Sequence, residues 1–322
     1  MRRGLVIGKF MPVHVGHVAL IRFALSHCDE LIVSMSYTEA DPIPNSLRFF
    51  WLQRLFEDTP HLRVERVVDD FDKPSLPWID RTRIWAHYLQ SRYGRIDVVV
   101  SSEEYGSFLA THLHATSVMF DPERKKYPVS ASVIRTHPFR NWYYIPDVVR
   151  PYFVKRLCFY GPESTGKSVM AQKLARVYQT ELVPEVAREV VTSNKFTIDD
   201  IIRIGHAQTD RIVEKTKTAN KILFCDTDLI TTQVYSRHYL HVVPPVLYEL
   251  EKQVTYHQYF LFDIDVPWVA DDLRDLGSRR MEMYQTFRQE LVNRGISFVE
   301  VRGNYHEREV FLRAYCDSLL QD

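Results

Sequence analysis

Eight residues near the midpoint constrain this chain most: Gly161-Pro162-Glu163-Ser164-Thr165-Gly166-Lys167-Ser168. An apolar run, Leu157-Cys158-Phe159-Tyr160, precedes them, and Val169-Met170-Ala171-Gln172-Lys173-Leu174-Ala175 follows with helical character. A strand, then Gly-x-x-x-x-Gly-Lys-Ser, then a helix is the setting of a phosphate-binding loop. The glycines let the backbone curl until successive N–H groups point at one anion. The new helix adds the positive end of its dipole. Along such a loop Glu163, Ser164 and Thr165 border the phosphates, Lys167 reaches the β- and γ-phosphates, and Ser168 holds Mg²⁺. The pattern predicts an ATP or GTP site, and it leaves a whole domain's length of chain before it.

The 322 residues suffice for two domains of ordinary size. Lys+Arg and Asp+Glu each number 41, so the molecule as a whole is not charged like a nucleic-acid binder. Cys28, Cys158, Cys225 and Cys316 are far apart, and Cys158 and Cys225 sit in strand-like runs, so buried small side chains are expected rather than disulfides or zinc. The opening Met1-Arg2-Arg3-Gly4-Leu5-Val6-Ile7 turns polar within a few residues, unlike a signal peptide, and no stretch is long and apolar enough for a membrane helix. A cytoplasmic setting is the default.

Leu5–Ile7 reads as a short buried strand leading into Gly8-Lys9-Phe10-Met11-Pro12-Val13-His14-Val15-Gly16-His17. Val18, Leu20, Ile21, Ala24 and Leu25 then recur at helical spacing. Residues 8–17 are thus a strand-to-helix connection, where open α/β sheets bind ligands. His14 and His17 there form a phosphate cradle, a metal pair, or a helix cap; no third metal ligand is apparent nearby.

Strands follow at Leu31–Met35, Leu62–Val68, Ile96–Val100 and Thr116–Phe120, with helices at Ser46–Phe56 and Ile79–Arg92. The first helix is expected to bury Leu47, Phe50, Trp51 and Leu55. Alternating helices and buried strands mean a parallel, doubly wound sheet, with residues 8–17 and Ser101–Gly106 (Ser102 and Tyr105 among them) at one crevice. Trp78 either stacks on a flat ring or packs at a helix start. The run Arg124-Lys125-Lys126 reads as solvated.

Aromatics and prolines crowd residues 137–146, and the domain boundary is placed near Pro151, giving domains 1–150 and 151–322. Beyond the phosphate loop, Glu185 and Arg188 follow a short strand and either touch substrate or pair on a helix surface. The strand Lys221–Asp226 ends in an acid in Walker B fashion, near Mg²⁺. Asp226 or Asp228 is a candidate base, or one of them caps the helix starting at Leu229. Residues 263–277, with Arg274 and then Arg279 and Arg280, read as a lid over phosphates. There is no AAA-type second domain and no Asn-Lys-x-Asp motif, which favours a small-molecule kinase over a GTPase.

Two resemblances join these readings. Gly8-x-Phe10-x-Pro12-x-His14-x-Gly16-His17 resembles the nucleotidylyltransferase signature, and Val129-Ser130-Ala131-Ser132-Val133-Ile134-Arg135 resembles its second element, with Val129 and Ser132 conservative departures. That implies His14, His17, Ser130 and Arg135 on a nucleotide triphosphate, with Gly8, Lys9 and Phe10 beside them. An adenylyltransferase-like domain followed by a small kinase resembles the NadR family, a nicotinamide-nucleotide adenylyltransferase fused to a ribosylnicotinamide kinase. Residues 8–10, 129–140, 161–168, Pro184–Glu189, Asp226-Thr227-Asp228 and Pro267-Trp268-Val269 carry it. In the lid Asp271-Asp272 precede Leu273-Arg274 where the family tends to Asp-Gly, which bears on geometry rather than existence.

The resemblance implies two doubly wound parallel-sheet α/β domains, a Rossmann-like nucleotidylyltransferase and a P-loop kinase. It implies phosphorylation of nicotinamide riboside to the mononucleotide (NMN) and adenylylation of NMN to NAD, with ATP and Mg²⁺ used throughout. Lys167, Asp226 and Asp228 would serve the kinase reaction, with Ser168 and Asp226 on the metal. Arg274 and Arg279 would meet phosphate, Glu185, Arg188 and Asp228 the riboside, and Trp78, Ser102 and Tyr105 the NMN. Longer members carry an N-terminal helix-turn-helix; this chain starts at its first strand, so no nucleic-acid partner is expected. A homo-oligomer is compatible with it. The alternatives are a phosphopantetheine adenylyltransferase/dephospho-coenzyme A kinase fusion, or a nucleotide sensor with little turnover.

Overall fold

The computed structural model describes residues 1–191, 193, 195–269 and 274–321. The chain forms two compact units, Met1–Val149 and Arg150–Gln321. In the first unit the elements run β1 (Arg3–Gly8), α1 (Val15–Leu25), β2 (Glu30–Tyr37), α2 (Asn45–Leu55), β3 (Leu62–Val68), α3 (Trp78–Tyr93), β4 (Val98–Ser101), α4 (Tyr105–His112), β5 (Thr116–Met119) and α5 (Ala131–Thr136). The sheet order is β3-β2-β1-β4-β5, every pair parallel. The order reverses direction between β1 and β4, which opens a crevice beyond their C-terminal ends.

In the second unit they run β6 (Lys155–Tyr160), α6 (Lys167–Val177), β7 (Leu182–Val183), α7 (Ala187–Val190), α8 (Ile198–Thr218), β8 (Ile222–Asp226), α9 (Leu229–Leu240), α10 (Val246–Glu251), β9 (Gln258–Phe262), α11 (Arg280–Asn293), β10 (Phe298–Val301) and α12 (Tyr305–Leu320). This sheet, order β10-β9-β6-β8-β7, is parallel too. The expected class, α/β with two doubly wound parallel sheets, is what the chain adopts.

Both sheets are covered on two faces, so their central strands are apolar in unbroken runs. Leu157–Tyr160, Ile222–Cys225 and Phe260–Phe262 have no exposed surface. Phe159 meets Phe224, Phe260 and Phe262 with ring centroids 5.0–5.7 Å apart. Burying each ring contributes about 1.5–3 kcal/mol. Cys158 and Cys225 are buried and unoxidised. Among the described residues no helix is long and apolar enough to cross a membrane.

The helix at Ser46–Phe56 forms, but of its expected face only Trp51 is fully buried. Arg48, Trp51 and Leu52 are buried, while Phe50 is half exposed. The Arg48 guanidinium turns the helix, donating to the carbonyl of Lys9 (2.7 Å) and to Asp41 Oδ2 (2.8 Å). A buried charge is retained only when so partnered. Helices α4 and α10 were not anticipated from the sequence. The lid departure at Asp271–Leu273 lies outside the described residues.

Candidate functional site

Each sheet carries a cavity beyond its strand ends. In the second unit the cavity, about 300 Å³, is bordered by Gly161, Glu163–Ser168, Glu185, Arg188 and Arg274. Gly161 (φ 130°) and Gly166 (φ 83°) take left-handed backbone that a side chain would strain. At Gly161 a Cβ would also meet the Phe262 carbonyl at 3.0 Å. The loop thereby curls onto the start of α6. Lys167 is buried, and its Nζ donates to the Pro162 carbonyl at 2.7 Å. Burial pulls its pKa down, against the opposing pull of Asp226, Glu185 and Glu163.

Loop side chains tie the nest to the expected lid. Ser164 Oγ accepts from Val269 N–H (2.8 Å), and Glu163 Oε1 accepts from Leu276 N–H (2.9 Å). Arg274 donates to the Val269 carbonyl (2.9 Å) and lines the cavity. Glu185 and Arg188 line it as an ion pair, 3.2 Å apart.

Asp226 ends β8 with its carboxylate buried; among the described residues its Oδ1 has no hydrogen-bond partner. Burial first and Glu185 second push its pKa up, while Lys167 and a hydrogen bond from Ser168 pull it down. Ser168 and Asp226 together offer the hard oxygen donors that suit Mg²⁺, including one unsatisfied carboxylate oxygen. Among the described residues no three His, Cys, Asp or Glu side chains cluster as a closed metal site. An ion completed by phosphate oxygens does not need one.

Two expectations are corrected here. Asp228 does not face the cavity: Oδ1 accepts from Thr231 N–H (2.9 Å) and Thr231 Oγ1 (3.1 Å), and Oδ2 accepts from Tyr259 (2.9 Å). It is the buried N-cap of α9, with its pKa pushed up to about 6 by burial. Arg279 pairs with Glu282 (2.8 Å) at the surface. Its neighbour Arg280 instead reaches the phosphate loop, donating to the carbonyls of Ser164 (3.3 Å) and Val266 (3.0 Å). Periodicity could not separate two adjacent arginines at a helix start.

The cavity in the first unit, about 430 Å³, brings together Gly8, Lys9, Phe10, His17, Trp78, Ser102, Tyr105 and Arg135. His14 and His17 stack with centroids 3.7 Å apart, and Phe10 packs edge-on against His17 at 5.0 Å. His17 Nδ1 accepts from the His14 backbone N–H (3.3 Å). A neutral His17 therefore carries its proton on Nε2, leaving a donor for a ligand. Burial first, then the charge of Arg124, lowers His14 to about 4. His17 is lowered by burial, then by His14 and Arg124.

Arg124 lines this cavity. Its side chain is exposed and pairs with Glu103 at 3.0 Å, as the solvated reading of Arg124-Lys125-Lys126 expects, and it stands at the cavity's edge. Asp121 and Arg124 both take left-handed backbone in the turn that carries it. That turn is held by Asp121, which accepts from the N–H groups of Lys126 and Tyr127.

The second element is also corrected. Ser130 is the N-cap of α5, its Oγ accepting from Val133 N–H at 3.2 Å. The hydroxyl on the cavity wall is that of Ser132, which accepts from Arg135 at 3.3 Å. Arg135 also donates to the Met11 carbonyl, joining elements 124 residues apart. Lys9 lies 3.1 Å from Asp41 and 3.6 Å from Asp69. Trp78 stacks on Tyr105 at 5.4 Å and carries the Arg81 guanidinium 4.5 Å from its ring centroid. The Tyr105 hydroxyl is committed to the Ile7 carbonyl at 2.8 Å, so it offers a ligand only its ring.

A family model for an AAA domain matches residues 156–308, which is the phosphate-loop unit itself and not a further domain. The trifunctional NAD biosynthesis/regulator protein NadR of Escherichia coli K12 is 31% identical over 99% of this chain and 82% of its own length. The chain belongs to the NadR family. The crystal structure of a NadR protein in complex with NAD and AMP-PNP has the same fold, with a TM-score of 0.82 at 22% identity over 100% of this chain and 96% of the other. The nicotinamide-nucleotide adenylyltransferase of Thermococcus kodakarensis is 32% identical over 42% of this chain and 71% of its own length.

Proposed function

We propose that this chain is a bifunctional enzyme of NAD salvage. Residues 151–322 phosphorylate nicotinamide riboside with ATP, and residues 1–150 join the resulting NMN to AMP from a second ATP, releasing pyrophosphate. The observation that carries this reading is the pairing of two separate phosphate cradles, Gly161–Ser168 and Gly8–His17 with Arg135, each at the switch point of its own sheet. The names of the relatives support the pyridine-nucleotide branch over the coenzyme A one.

In the C-terminal unit the riboside 5′-oxygen attacks the γ-phosphorus. The new P–O bond forms as the β–γ bridging bond breaks, and the hydroxyl proton passes to Glu185. Backbone N–H groups of residues 161–168 and the Lys167 ammonium hold the phosphates, while Arg188 and Arg274 offset the charge that gathers in the transition state. Ser168 and Asp226 would hold Mg²⁺, which when bound offsets the β- and γ-phosphate charge.

In the N-terminal unit a phosphate oxygen of NMN attacks the α-phosphorus and pyrophosphate leaves. No protein nucleophile is required; positioning and charge stabilisation suffice. His17, Ser132, Arg135 and Arg124 surround the triphosphate, His14 backs His17, and Trp78 over Tyr105 takes the pyridinium ring. The test is to incubate the enzyme with ATP and nicotinamide riboside. NMN should appear first, then NAD, with ADP and pyrophosphate formed in equal amounts to NAD at completion. ADP formation with dephospho-coenzyme A but not with the riboside would overturn the assignment.

A further inference from the structure

Gln208 on α8 is 2% exposed and lines the cavity of the phosphate-loop unit. Its Oε1 accepts from Val186 N–H at 3.0 Å. A backbone N–H can only donate, so the amide has a single orientation: oxygen toward Val186, NH₂ away from it. Among the described residues Nε2 has no hydrogen-bond partner. Leaving a buried amide donor unpaired costs about 1–3 kcal/mol, and folds rarely keep such a group without a use for it.

The place of Gln208 indicates what it would meet. Val186 follows β7, and β7 lies two strands from β6, whose end carries the phosphate loop. Neighbouring strands are about 4.8 Å apart, so this end of the cavity is roughly 10 Å from the ATP phosphates. Ile201, Ile204 and Gln208 fall on one face of α8 and all border the cavity, with Tyr235 and Tyr239 of α9 bordering it as well. The wall around Gln208 is apolar and aromatic and its amide is a buried donor of fixed direction, which suits a flat ring bearing an oxygen. Glu185, beside Val186, lines the same end.

We propose that Gln208 recognises the nucleoside of this cavity by donating an Nε2–H to one of its oxygen acceptors, either the carbonyl on the ring or a ribose hydroxyl. The proposal rests on the kinase reading given above. It makes Gln208 a specificity residue for the phosphoryl acceptor and gives it no part in binding ATP.

The experiment uses the full chain carrying Gln208→Glu and, separately, Gln208→Leu. Glu keeps the shape and the acceptor for Val186 N–H but when ionised replaces the donor with lone pairs, and Leu removes the donor without adding charge, so a loss shared by both variants at a native thermal midpoint is not a folding effect. The KM for nicotinamide riboside should rise by about tenfold or more in both variants, with the KM for ATP unchanged. N-Ribosylpyridinium, which lacks the carboxamide, and the 2′- and 3′-deoxyribosides then distinguish the two sources. The analogue missing the contacted oxygen should be poor for the native enzyme and lose nothing further in Gln208→Glu. An unchanged riboside KM in Gln208→Glu, or an equal loss on the riboside and on all the analogues, overturns the proposal. If the native enzyme does not phosphorylate the riboside at all, the kinase reading falls and the proposal with it. If it does and Gln208→Glu behaves as native, only the role of Gln208 falls.

Discussion

Arg308, with no exposed surface, donates to the carbonyl of Thr165, 143 residues earlier in the chain. The same guanidinium donates to the carbonyls of Gly303 (2.8 Å) and Asp263 (2.9 Å) and pairs with Asp265. Across a trans peptide plane C=O and N–H point in opposite directions. Holding the Thr165 carbonyl outward therefore aims the Gly166 N–H into the phosphate nest. Arg308→Lys keeps the charge but not the fork. It should raise the kinase KM for ATP about tenfold and leave adenylyl transfer at the native rate. A purely structural role would lower the active fraction without moving that KM.

The commitment of both Asp228 oxygens to Thr231 and Tyr259 separates it from the chemistry. Asn also caps helices well, so Asp228→Asn should keep the kinase kcat within a few-fold. Glu185→Gln should lower kcat by about 10²–10⁴ as a lost general base. Steady-state kinetics with nicotinamide riboside decide between them. The reverse ranking would return Asp228 to the site.

Arg124 borders the cavity that His17 lines, and its charge reaches both His14 and His17. Arg124→Gln should cut kcat/KM for adenylyl transfer by about tenfold to a hundredfold, with the kinase activity unaltered. Native transfer kinetics in that variant would assign Arg124 to its surface partner Glu103 alone.

The two histidines also set a pH dependence. His14 titrates at about 4 when folded against 6.5 when free, because burial and Arg124 disfavour its charge. Between those values the unfolded chain holds a proton that the folded unit lacks. Stability of the N-terminal unit is therefore fully present above about pH 6.5 and declines as pH falls toward 4. Its thermal midpoint, measured without ligands, should drop between about pH 7 and pH 5. His14→Gln should flatten that slope. A slope unchanged by the substitution would place the titration elsewhere.

Much of this was legible because it rests on local rules. Gly161–Ser168 needs a strand before it and a helix after it, and both could be read from hydrophobic runs. Trp78, Ser102 and Tyr105 meet at one crevice because β-α connections emerge on the same side of a parallel sheet. What could not be read depends on partners distant in sequence. The buried face of α2 is set by Arg48 reaching the Lys9 carbonyl, which no periodicity within the helix encodes. Ser130 and Ser132 are equivalent as letters, and only the start of α5 makes one a cap and the other a wall. The same holds for Arg279 and Arg280, distinguished by the roughly 100° between neighbouring residues at the head of α11.

The central claim is that one chain holds two independent ATP-using sites. It is tested most directly by assaying Lys167→Ala and His14→Ala side by side, following riboside to NMN in one reaction and NMN to NAD in the other. Lys167→Ala should lose the first step and keep the second at the native rate, and His14→Ala should do the opposite. Loss of both steps in Lys167→Ala, with the variant folded, would contradict the two-site account.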